Sequence, residues 1–274
     1  MTQPKIVAPI FIIGCHRSGT SIFYRKLALH PDLAFITRTT RRSPNQLLMM
    51  RLFRLFRSEK KNTTPIGGEF WNKFDASEDQ VMTAADVTAR NRKYFENLIR
   101  NHLVLFNRPR FLNKSPSNSV KIEFLNALFP DACFIHIIRD GRAVARSISV
   151  GRKSHGRFSG AKVPGWRDLM DRPLVESCAL QWQQTVRYVQ SSLKKIPDER
   201  VLSVRYEDFV SRPIETMQRV GSKCGLRWTD TLLEKTADGL RSRNYKWAEA
   251  FSASDIDFMN GLLGDLLTEL GYDV

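Results

Sequence analysis

The chain has 274 residues, 42% of them hydrophobic and 26% charged, which suits one compact domain with a sizeable core and does not require a second domain. Its net charge of +15 at pH 7 favours an anionic ligand, a nucleic acid or a membrane surface, without choosing among them. Its four cysteines lie far apart, with no C-x-x-C pair and no histidine at metal-ligand spacing, which argues against a zinc site and for reduced, buried thiols.

The first predicted element is a buried strand over the apolar run Ile10–Ile13. The apolar stretch that contains this run is too short, and too interrupted by Pro4 and Pro9, for a signal peptide or a membrane span. We therefore expect a cytoplasmic protein.

A glycine loop follows this strand. Gly14 and Gly19 have the spacing of the phosphate-binding pattern G-x-x-x-x-G-K-[ST], but Thr20 stands where that pattern has lysine. The backbone N–H groups of such a loop and the positive end of the following helix still attract an anion. The side chains that offer further donors are Arg17, Ser18, Thr20 and Ser21. The loop is predicted to hold a phosphate that carries a transferable group. The transfer of that group is expected to require one nearby cation and no magnesium.

Beyond the loop, short apolar runs alternate with longer helical patterns, which is typical of a parallel sheet wrapped by helices. Further strands are expected at 33–36, around Phe111 and Leu112, at 132–140 and at 201–204. Helices are expected at 84–106, 119–128, 142–150 and 174–193, and from Pro213 to a stop at Gly225. A last helix, capped by Ser254, is expected to pack its apolar stripe on the sheet.

Two basic stretches interrupt this alternation. Residues 38–80 form a predicted insertion on the substrate side, in which the part at 47–57 combines arginines and leucines at helical spacing. A solvated surface helix is the favoured interpretation of that part, and a helix that contacts a membrane or a lipid-like substrate is the alternative. Residues 151–168 are basic and rich in Gly and Ser, and they are predicted to form a mobile lid.

A second phosphate site is predicted where the strand at 132–140 ends. Arg139 lies at this end, and Ser147 follows about two helical turns, roughly 11 Å, later. Both predicted phosphate sites lie at the carboxyl ends of strands, where open α/β sheets bind their ligands. The alternative is that Arg139 pairs with Asp140 or another acid, and that Ser147 has no role.

Four motifs together carry a resemblance to a known family. They are GCHRSGTS, LNKSP, HIIRDGRAVARSIS and VRYEDFVSRP. In order and spacing they resemble the sulfotransferases that use 3′-phosphoadenosine 5′-phosphosulfate (PAPS), above all the broad bacterial group and the tyrosylprotein sulfotransferases. The resemblance covers nearly the whole chain. It implies a single sulfotransferase domain over 1–274, with a parallel sheet like that of the P-loop NTPases, flanked by helices.

The same resemblance assigns the nucleotide-binding residues. The loop from Arg17 to Ser21, including Ser18, Gly19 and Thr20, would bind the 5′-phosphosulfate, while Arg139 and Ser147 would bind the 3′-phosphate. Tyr206, in RYED, would lie near the adenine. One of three basic residues near the carboxyl end is expected to contact the nucleotide, with Arg243 chosen from Arg241, Arg243 and Lys246.

The implied reaction is transfer of a sulfuryl group to an acceptor hydroxyl by in-line displacement, without a metal ion. Arg17 and Lys114 are expected to neutralise the charge that builds on the departing phosphate. Cytosolic members of the family have a histidine shortly after the lysine, which this chain lacks. Other branches have a glutamate base, and Glu69 in PIGGEFW has a comparable position. His30 follows a helix end and is expected to be a packing histidine, and His16, His136 and His155 are still weaker candidates for the base.

The acceptor is expected to be a small molecule, lipid-like compound or carbohydrate with a hydroxyl group. Alcohols, phenols and peptide tyrosine also stay open, and the apolar and basic character of 47–56 favours a hydrophobic or amphiphilic acceptor. Two other functions stay open at this point. A nucleotide kinase or NTPase would use Asp140 and Ser21 to hold magnesium. A nucleic-acid-binding protein would use the net positive charge, but no aromatic-basic binding module is found, so nucleic acid is not the expected partner. The oligomeric state is left open.

Overall fold

The computed structural model of the chain describes residues 4–67, 70, 71, 74, 80–156, 158–241 and 244–274, and for Asn62, Tyr245 and Lys246 it describes the backbone alone. The described residues form a five-stranded sheet in the order β2-β3-β1-β4-β5, with every neighbouring pair parallel. The strands are β1 Ile10–Ile13, β2 Leu33–Ala34, β3 Arg110–Lys114, β4 Cys133–Ile138 and β5 Val201–Arg205. This sheet confirms the predicted fold class and the position of each predicted strand.

Helices connect and flank the strands. They are α1 Thr20–Leu27, α2 Leu47–Leu55, α3 Glu59–Thr63, α4 Ala89–Phe106, α5 Ile122–Leu128, α6 Gly141–His155, α7 Leu174–Leu193, α8 Tyr206–Ser211, α9 Pro213–Cys224, α10 Asp230–Ala237 and α11 Ala253–Glu269. As predicted, α9 begins at Pro213 and ends before Gly225, which caps it with a φ of +66°.

The central strand β1 is apolar on both faces because helices cover both sides of the sheet. Ile10 and Ile12 pack with α1 and α9 on one face, while Phe11 and Ile13 pack with α4 and α5 on the other. All four side chains are fully buried, and each contributes about 1.5–3 kcal/mol of hydrophobic stabilisation. The buried strand therefore fixes the position of the glycine loop that follows it.

The order of the strands divides the carboxyl edge of the sheet into two sides. Strand β1 lies between β3 and β4, so the chain leaves it at the point where the strand order reverses. Segments that follow β4 and β5 lie on one side of the glycine loop, and segments that follow β3 and β2 lie on the other. A ligand in the loop can therefore be approached from two separate directions.

Two predicted helices have boundaries that capping residues change, and the helix expected at 119–128 begins only at Ile122, after a 3₁₀ turn at Pro116–Val120. The helix expected at 84–106 is interrupted: Ala84–Asp86 is a 3₁₀ turn, and α4 starts anew behind Thr88, whose hydroxyl accepts from the Asn91 N–H at 3.2 Å. The helix expected to end at residue 150 continues as α6 to His155, where Gly156 caps it with a φ of +63°. In both cases a capping residue, rather than the apolar pattern, sets the boundary.

The C-terminal helix differs from its prediction in two respects. Its cap is Ser252, whose hydroxyl accepts from the Asp255 N–H at 3.1 Å, and not Ser254. Its apolar stripe lies on α6 and α7 instead of on the sheet. The buried members of that stripe are Met259, Leu263, Leu266 and Leu267.

Helix α2, in the basic stretch, leaves most of its apolar side chains in solvent. Met50 is the one residue of α2 that is buried. By contrast, Leu48 is 70% exposed, Leu55 is 77% exposed and the following Phe56 is 82% exposed. The helix is held to the domain in part by Arg54, which donates to the Leu105 carbonyl and lies over the Phe106 ring. An exposed apolar row of this kind is uncommon on a soluble surface.

Two findings complete the description of the fold. No helix within the described residues combines the length and the apolar character needed to cross a bilayer. The four cysteines are buried free thiols, as predicted.

Candidate functional site

The glycine loop after β1 has a backbone that few residues other than glycine adopt. Gly14 has a φ of +139° and Gly19 a φ of +87°, and the non-glycine Arg17 between them has a φ of +70°. A Cβ atom on Gly14 would lie 2.4 Å from the Ile137 carbonyl oxygen, and one on Gly19 would lie 2.2 Å from the Tyr206 ring. The loop is thus held between β4 and Tyr206.

Two polar side chains from the segment after β3 hold this loop in place. Ser119 accepts from the Gly14 N–H at 2.9 Å and donates to the Gly14 carbonyl at 3.1 Å. Asn118 donates to the Ile12 carbonyl at 3.2 Å and accepts from the Trp71 indole N–H at 2.7 Å. Sequence reasoning did not identify either residue, although the polar run that follows Lys114 was the available signal. Their role is to position the loop.

The inside of the loop offers donors to an anion. Ser18 is fully buried, and its hydroxyl has no hydrogen-bond partner within the described part of the chain. Thr20 begins α1, and Gly19 before it supplies no side-chain cap, so the first N–H groups of α1 also point into the loop. A buried hydroxyl without a partner beside a helix N-terminus fits a bound phosphate or sulfonate.

Arg139 connects the loop to the second predicted phosphate site. Its guanidinium donates to the Arg17 carbonyl at 3.2 Å and to the Asn244 side-chain oxygen at 3.0 Å, and it lies 4.6 Å above the Tyr206 ring. Among the described residues no acid forms a salt bridge with Arg139, and Asp140 pairs with Arg142 instead. The Arg139 guanidinium is held in place by three neighbours, with N–H groups left for a ligand.

Ser147 lies on the side of α6 that faces Arg17. A Cβ atom on Gly151 would lie 3.1 Å from the Arg17 guanidinium, and Ser147 lies one turn earlier on the same face of the helix. Ser147 is half-buried. The structure thus brings Arg17, Arg139, Ser147 and Tyr206 to the β4 and β5 side of the loop.

Lys114 lies on the opposite side of the loop, at the end of β3. Its ammonium donates to the Ser21 hydroxyl at 3.1 Å. A Cβ atom on Gly67 would lie 1.6 Å from the Lys114 carbonyl oxygen, so this close approach of the two backbones requires glycine. The segment that leads to Glu69 therefore passes directly beside Lys114. Glu69 and Arg243 themselves lie outside the described residues.

The histidines considered as bases have other environments. Burial and the charges of Arg17 and Arg152 lower the pKa of His16 to about 4, and its ring packs under Gly160. Burial lowers the pKa of His136, on β4, to about 3. His30 is buried against the Trp228 ring and bonds the Arg227 carbonyl at 2.9 Å, which confirms its packing role.

Asp140, which the kinase interpretation assigned to magnesium, is engaged elsewhere. Its carboxylate caps α6 by accepting from the Arg142 N–H at 2.8 Å, and it also forms a buried salt bridge with the Arg142 guanidinium at 2.9 Å. Ser21, the second assigned magnesium ligand, accepts a hydrogen bond from Lys114. The two groups are thus committed to other contacts, and within the described ranges no group of three or more His, Cys, Asp and Glu residues lies together.

The stretch at 151–168 is partly ordered by packing. Its first five residues belong to α6, and Ala161 and Val163 are buried against Val120. Ser159 contacts the His16 ring nitrogen at 3.1 Å and accepts from Gln181 at 2.7 Å. These contacts place the stretch over the Arg17 side of the loop. Its motion as a lid stays a prediction.

A cavity of about 680 Å³ lies on the β3 side of the loop, where it reaches Ser21 and Lys114. We call it the β3-side cavity. Its walls come from α1, from the segment after β2, from α2 and α3 with the residues beside them, and from β3. The residues that line it are Ser21, Tyr24, Arg25, Arg38, Thr39, Arg41, Arg42, Phe53, Arg57, Lys61, Thr64, Pro65, Ile66, Gly67 and Lys114.

A protein-family model and curated relatives both match this chain, and they agree on the family. A family model described as "Sulfotransferase family" matches residues 9–230. Protein-tyrosine sulfotransferase 2 of Gallus gallus is 28% identical over 226 residues, which are 82% of this chain and 53% of that protein. The chain spans about half the length of the first curated relatives it matches.

Solved structures share the fold. The sulfotransferase STF9 of Mycobacterium avium superposes with a TM-score of 0.65 at 17% identity, over 98% of this chain and 78% of that one. A mouse sulfotransferase, SULT7A1, was crystallised in complex with 3′-phosphoadenosine 5′-phosphate (PAP), and it superposes with a TM-score of 0.52 at 11% identity, over 96% of this chain and 85% of that one. At these identities the superpositions confirm the predicted architecture.

Proposed function

Because this chain belongs to the sulfotransferase family, we propose that it transfers a sulfuryl group from PAPS to a hydroxyl group of an acceptor. One observation carries the proposal: a phosphate loop without the lysine of nucleotide kinases lies beside a second cationic group, Arg139, on the β4 side. PAPS carries phosphate groups at two separate positions, and two cationic groups on one edge of the sheet match them.

The residues on the β4 and β5 side fit the nucleotide. The loop from Arg17 to Ser21 would hold the 5′-phosphosulfate, since it offers a buried free hydroxyl on Ser18 and the N-terminus of α1. Arg139 and Ser147 would hold the 3′-phosphate. Tyr206, proposed to lie near the adenine, is buried between Gly19 and the Arg139 guanidinium, so it supports the loop and Arg139.

The proposed reaction is an in-line displacement. The acceptor oxygen forms a bond to sulfur while the bond from sulfur to the 5′-phosphate oxygen breaks, and PAP departs with the added negative charge. Lys114 and Arg17 lie on two sides of the loop, where they would neutralise that charge. The acceptor hydroxyl loses its proton to a base, and we assign this role to Glu69 because the backbone two residues before it contacts Lys114.

The acceptor is proposed to enter from the β3 side, since Arg139 and Tyr206 occupy the other side. A hydroxyl that enters the β3-side cavity reaches Lys114 and Ser21. The exposed apolar residues of α2 and Phe56 support a lipid-like or amphiphilic acceptor and peripheral membrane contact through 47–57. A cytoplasmic location stays part of the proposal.

The donor class is tested by titration calorimetry of the purified protein in EDTA, with PAP and with ADP in parallel. We expect PAP to bind at least about 100-fold more tightly, because ADP places no phosphate near Arg139 and each charge-assisted hydrogen bond contributes about 1.5–3 kcal/mol. Equal affinities, or binding of ADP only after magnesium is added, would reject the proposal in favour of a kinase or NTPase.

The base is tested by Glu69→Gln, with Glu59→Gln of α3 as the matched control. We expect Glu69→Gln to lower kcat by about 100-fold and to remove the acid limb of the pH profile of kcat, because glutamine does not accept a proton. The affinity for PAP is expected to stay unchanged. A variant that keeps both its activity and its acid limb shows that another group is the base.

A further inference from the structure

The lining of the β3-side cavity has one sign of charge. Seven of its residues are basic, and none of the described lining residues is acidic. The seven are Arg25, Arg38, Arg41, Arg42, Arg57, Lys61 and Lys114. Like charges around one cavity repel each other, and they attract anions into it. The proposed sulfuryl transfer uses one of the seven, Lys114. The reaction gives no role to the other six basic residues.

These charges are separate from the nucleotide site. Arg38, Arg41 and Arg42 follow β2, which is the strand at the far edge of the sheet, two places from β1. Arg139 and Tyr206 follow β4 and β5 on the other side of β1. The basic lining therefore faces the acceptor, and the 3′-phosphate of PAPS has its own arginine elsewhere.

Several of these cations have no carboxylate partner within the part of the chain that the structure describes. Among the described residues, no carboxylate forms a salt bridge with Arg38, Arg42 or Lys61, and all three are exposed to solvent. Arg25, on α1, bonds a backbone carbonyl, that of Ser21, at 3.3 Å. Cations that are gathered around a cavity without acidic partners are available to a ligand.

We propose that the acceptor is a phosphorylated alcohol, with one or more phosphate groups close to the hydroxyl that receives the sulfuryl group. This inference rests on the proposed sulfuryl transfer and names its acceptor class. Arginine predominates in the lining, and its planar guanidinium forms paired hydrogen bonds with phosphate oxygens. The volume suits a small molecule or a head group.

The structure also relates the cavity to the exposed row on α2. Phe53 and Arg57 line the cavity, while Leu48, Leu52 and Leu55 of the same helix are exposed. A soluble sugar phosphate and the phosphorylated head group of a lipid present the same chemistry to the arginines. A lipid would in addition place its acyl chains next to the exposed leucines.

The test measures binding of inositol hexakisphosphate, a soluble polyphosphate, to the protein saturated with PAP. Arg38→Gln/Arg42→Gln is compared with Arg219→Gln/Arg227→Gln, which removes two exposed arginines that do not line the cavity. We expect the cavity variant to bind the polyphosphate at least about tenfold more weakly, and the control variant to bind it like the wild type. Both variants are expected to bind PAP with unchanged affinity.

Three results would overturn the inference. They are equal loss of affinity in both variants, no binding of the polyphosphate by the wild type, and preferential binding of an oligoglutamate peptide, which would assign the cavity to carboxylates. Absence of PAP binding by the wild type is a different failure, because it rejects the proposed donor and not the acceptor class.

A panel of acceptors distinguishes the two sources of phosphate. PAP formation from PAPS is measured with glucose, with glucose 6-phosphate, and with phosphatidylcholine vesicles that contain or lack phosphatidylinositol. Turnover with glucose 6-phosphate supports a soluble acceptor, and turnover with phosphatidylinositol vesicles supports a lipid head group. Turnover with glucose that exceeds turnover with glucose 6-phosphate would contradict the inference. Vesicle sedimentation in the same series tests the membrane contact of 47–57.

Discussion

Lys114→Met is expected to lower kcat for sulfuryl transfer by roughly 100- to 1000-fold, the range found when one donor to a developing oxyanion is removed. Methionine keeps the length and the apolar stem of lysine, and the stem lies beside Gly67, so the packing is preserved. The ammonium, which contacts Ser21 at the first turn of α1, is lost. The rate is measured as PAP formed from PAPS, with the acceptor that gives the fastest turnover in the panel above.

The controls separate catalysis from folding and from binding. Lys153→Met, an exposed lysine on α6, makes the same chemical change away from the cavity and is expected to leave the rate unaltered. The affinity of Lys114→Met for PAP is expected to fall much less than kcat, because the charge that Lys114 would neutralise builds on the departing 5′-phosphate in the transition state, and the 3′-phosphate would lie on the opposite side of the loop. An equal loss in kcat and in affinity for PAP would show that Lys114 acts by binding the nucleotide and not by stabilising the transition state.

Arg139→Ala is expected to weaken the binding of PAP by between about 100-fold and about 10,000-fold. The estimate follows from the loss of two charge-assisted hydrogen bonds to the 3′-phosphate, at about 1.5–3 kcal/mol each. The affinity of the variant for AMP, which differs from PAP by that one phosphate, is expected to fall far less. The measurement is calorimetric titration of both nucleotides in EDTA, and the preference for PAP over AMP is the quantity compared.

Arg139 also supports the loop. The comparison with AMP separates this supporting role from binding of the 3′-phosphate. The guanidinium donates to the Arg17 carbonyl and packs on Tyr206, so its removal changes the shape of the loop as well as the phosphate site. An equal loss of affinity for PAP and for AMP would assign Arg139 to that supporting role alone. Arg139→Lys keeps the charge without the planar fork and is expected to retain part of the preference for PAP.

The features that sequence predicted well are local ones. The glycine loop was recognisable because Gly14 and Gly19 require their positive φ values, and Arg139 because it ends a strand that is buried throughout. The described residues of the predicted site do lie together, although their individual roles stay predictions. Glu69 and Arg243 also stay predictions, since they lie outside the described residues.

The features that sequence did not predict depend on contacts between distant segments. Ser119 holds Gly14 from 105 positions away, and no local pattern reveals such a pair. The order of the strands, which places the arginines after β2 opposite Arg139, also emerges only from the folded sheet. In the basic stretch at 38–80, the arginines and leucines of 47–57 were recognised from their helical spacing, whereas the structure also brings Arg38, Arg41 and Arg42, which precede that part, to the wall of a cavity.

The attachment of the segment between β2 and α4 has a consequence for evolution. Thr37 pairs with Pro65, which closes the stretch between them into a loop, and Trp71 donates to Asn118, which fastens the segment to the domain. Between Thr37 and Pro65 the sequence contributes side chains to the β3-side cavity, while the glycine loop is built by other parts of the chain. Substitutions and length changes inside a fastened loop have a small thermodynamic cost. Under the proposed function, descendants of this chain would therefore acquire new acceptors through substitutions in this one stretch, while the residues proposed to bind PAPS stay unchanged.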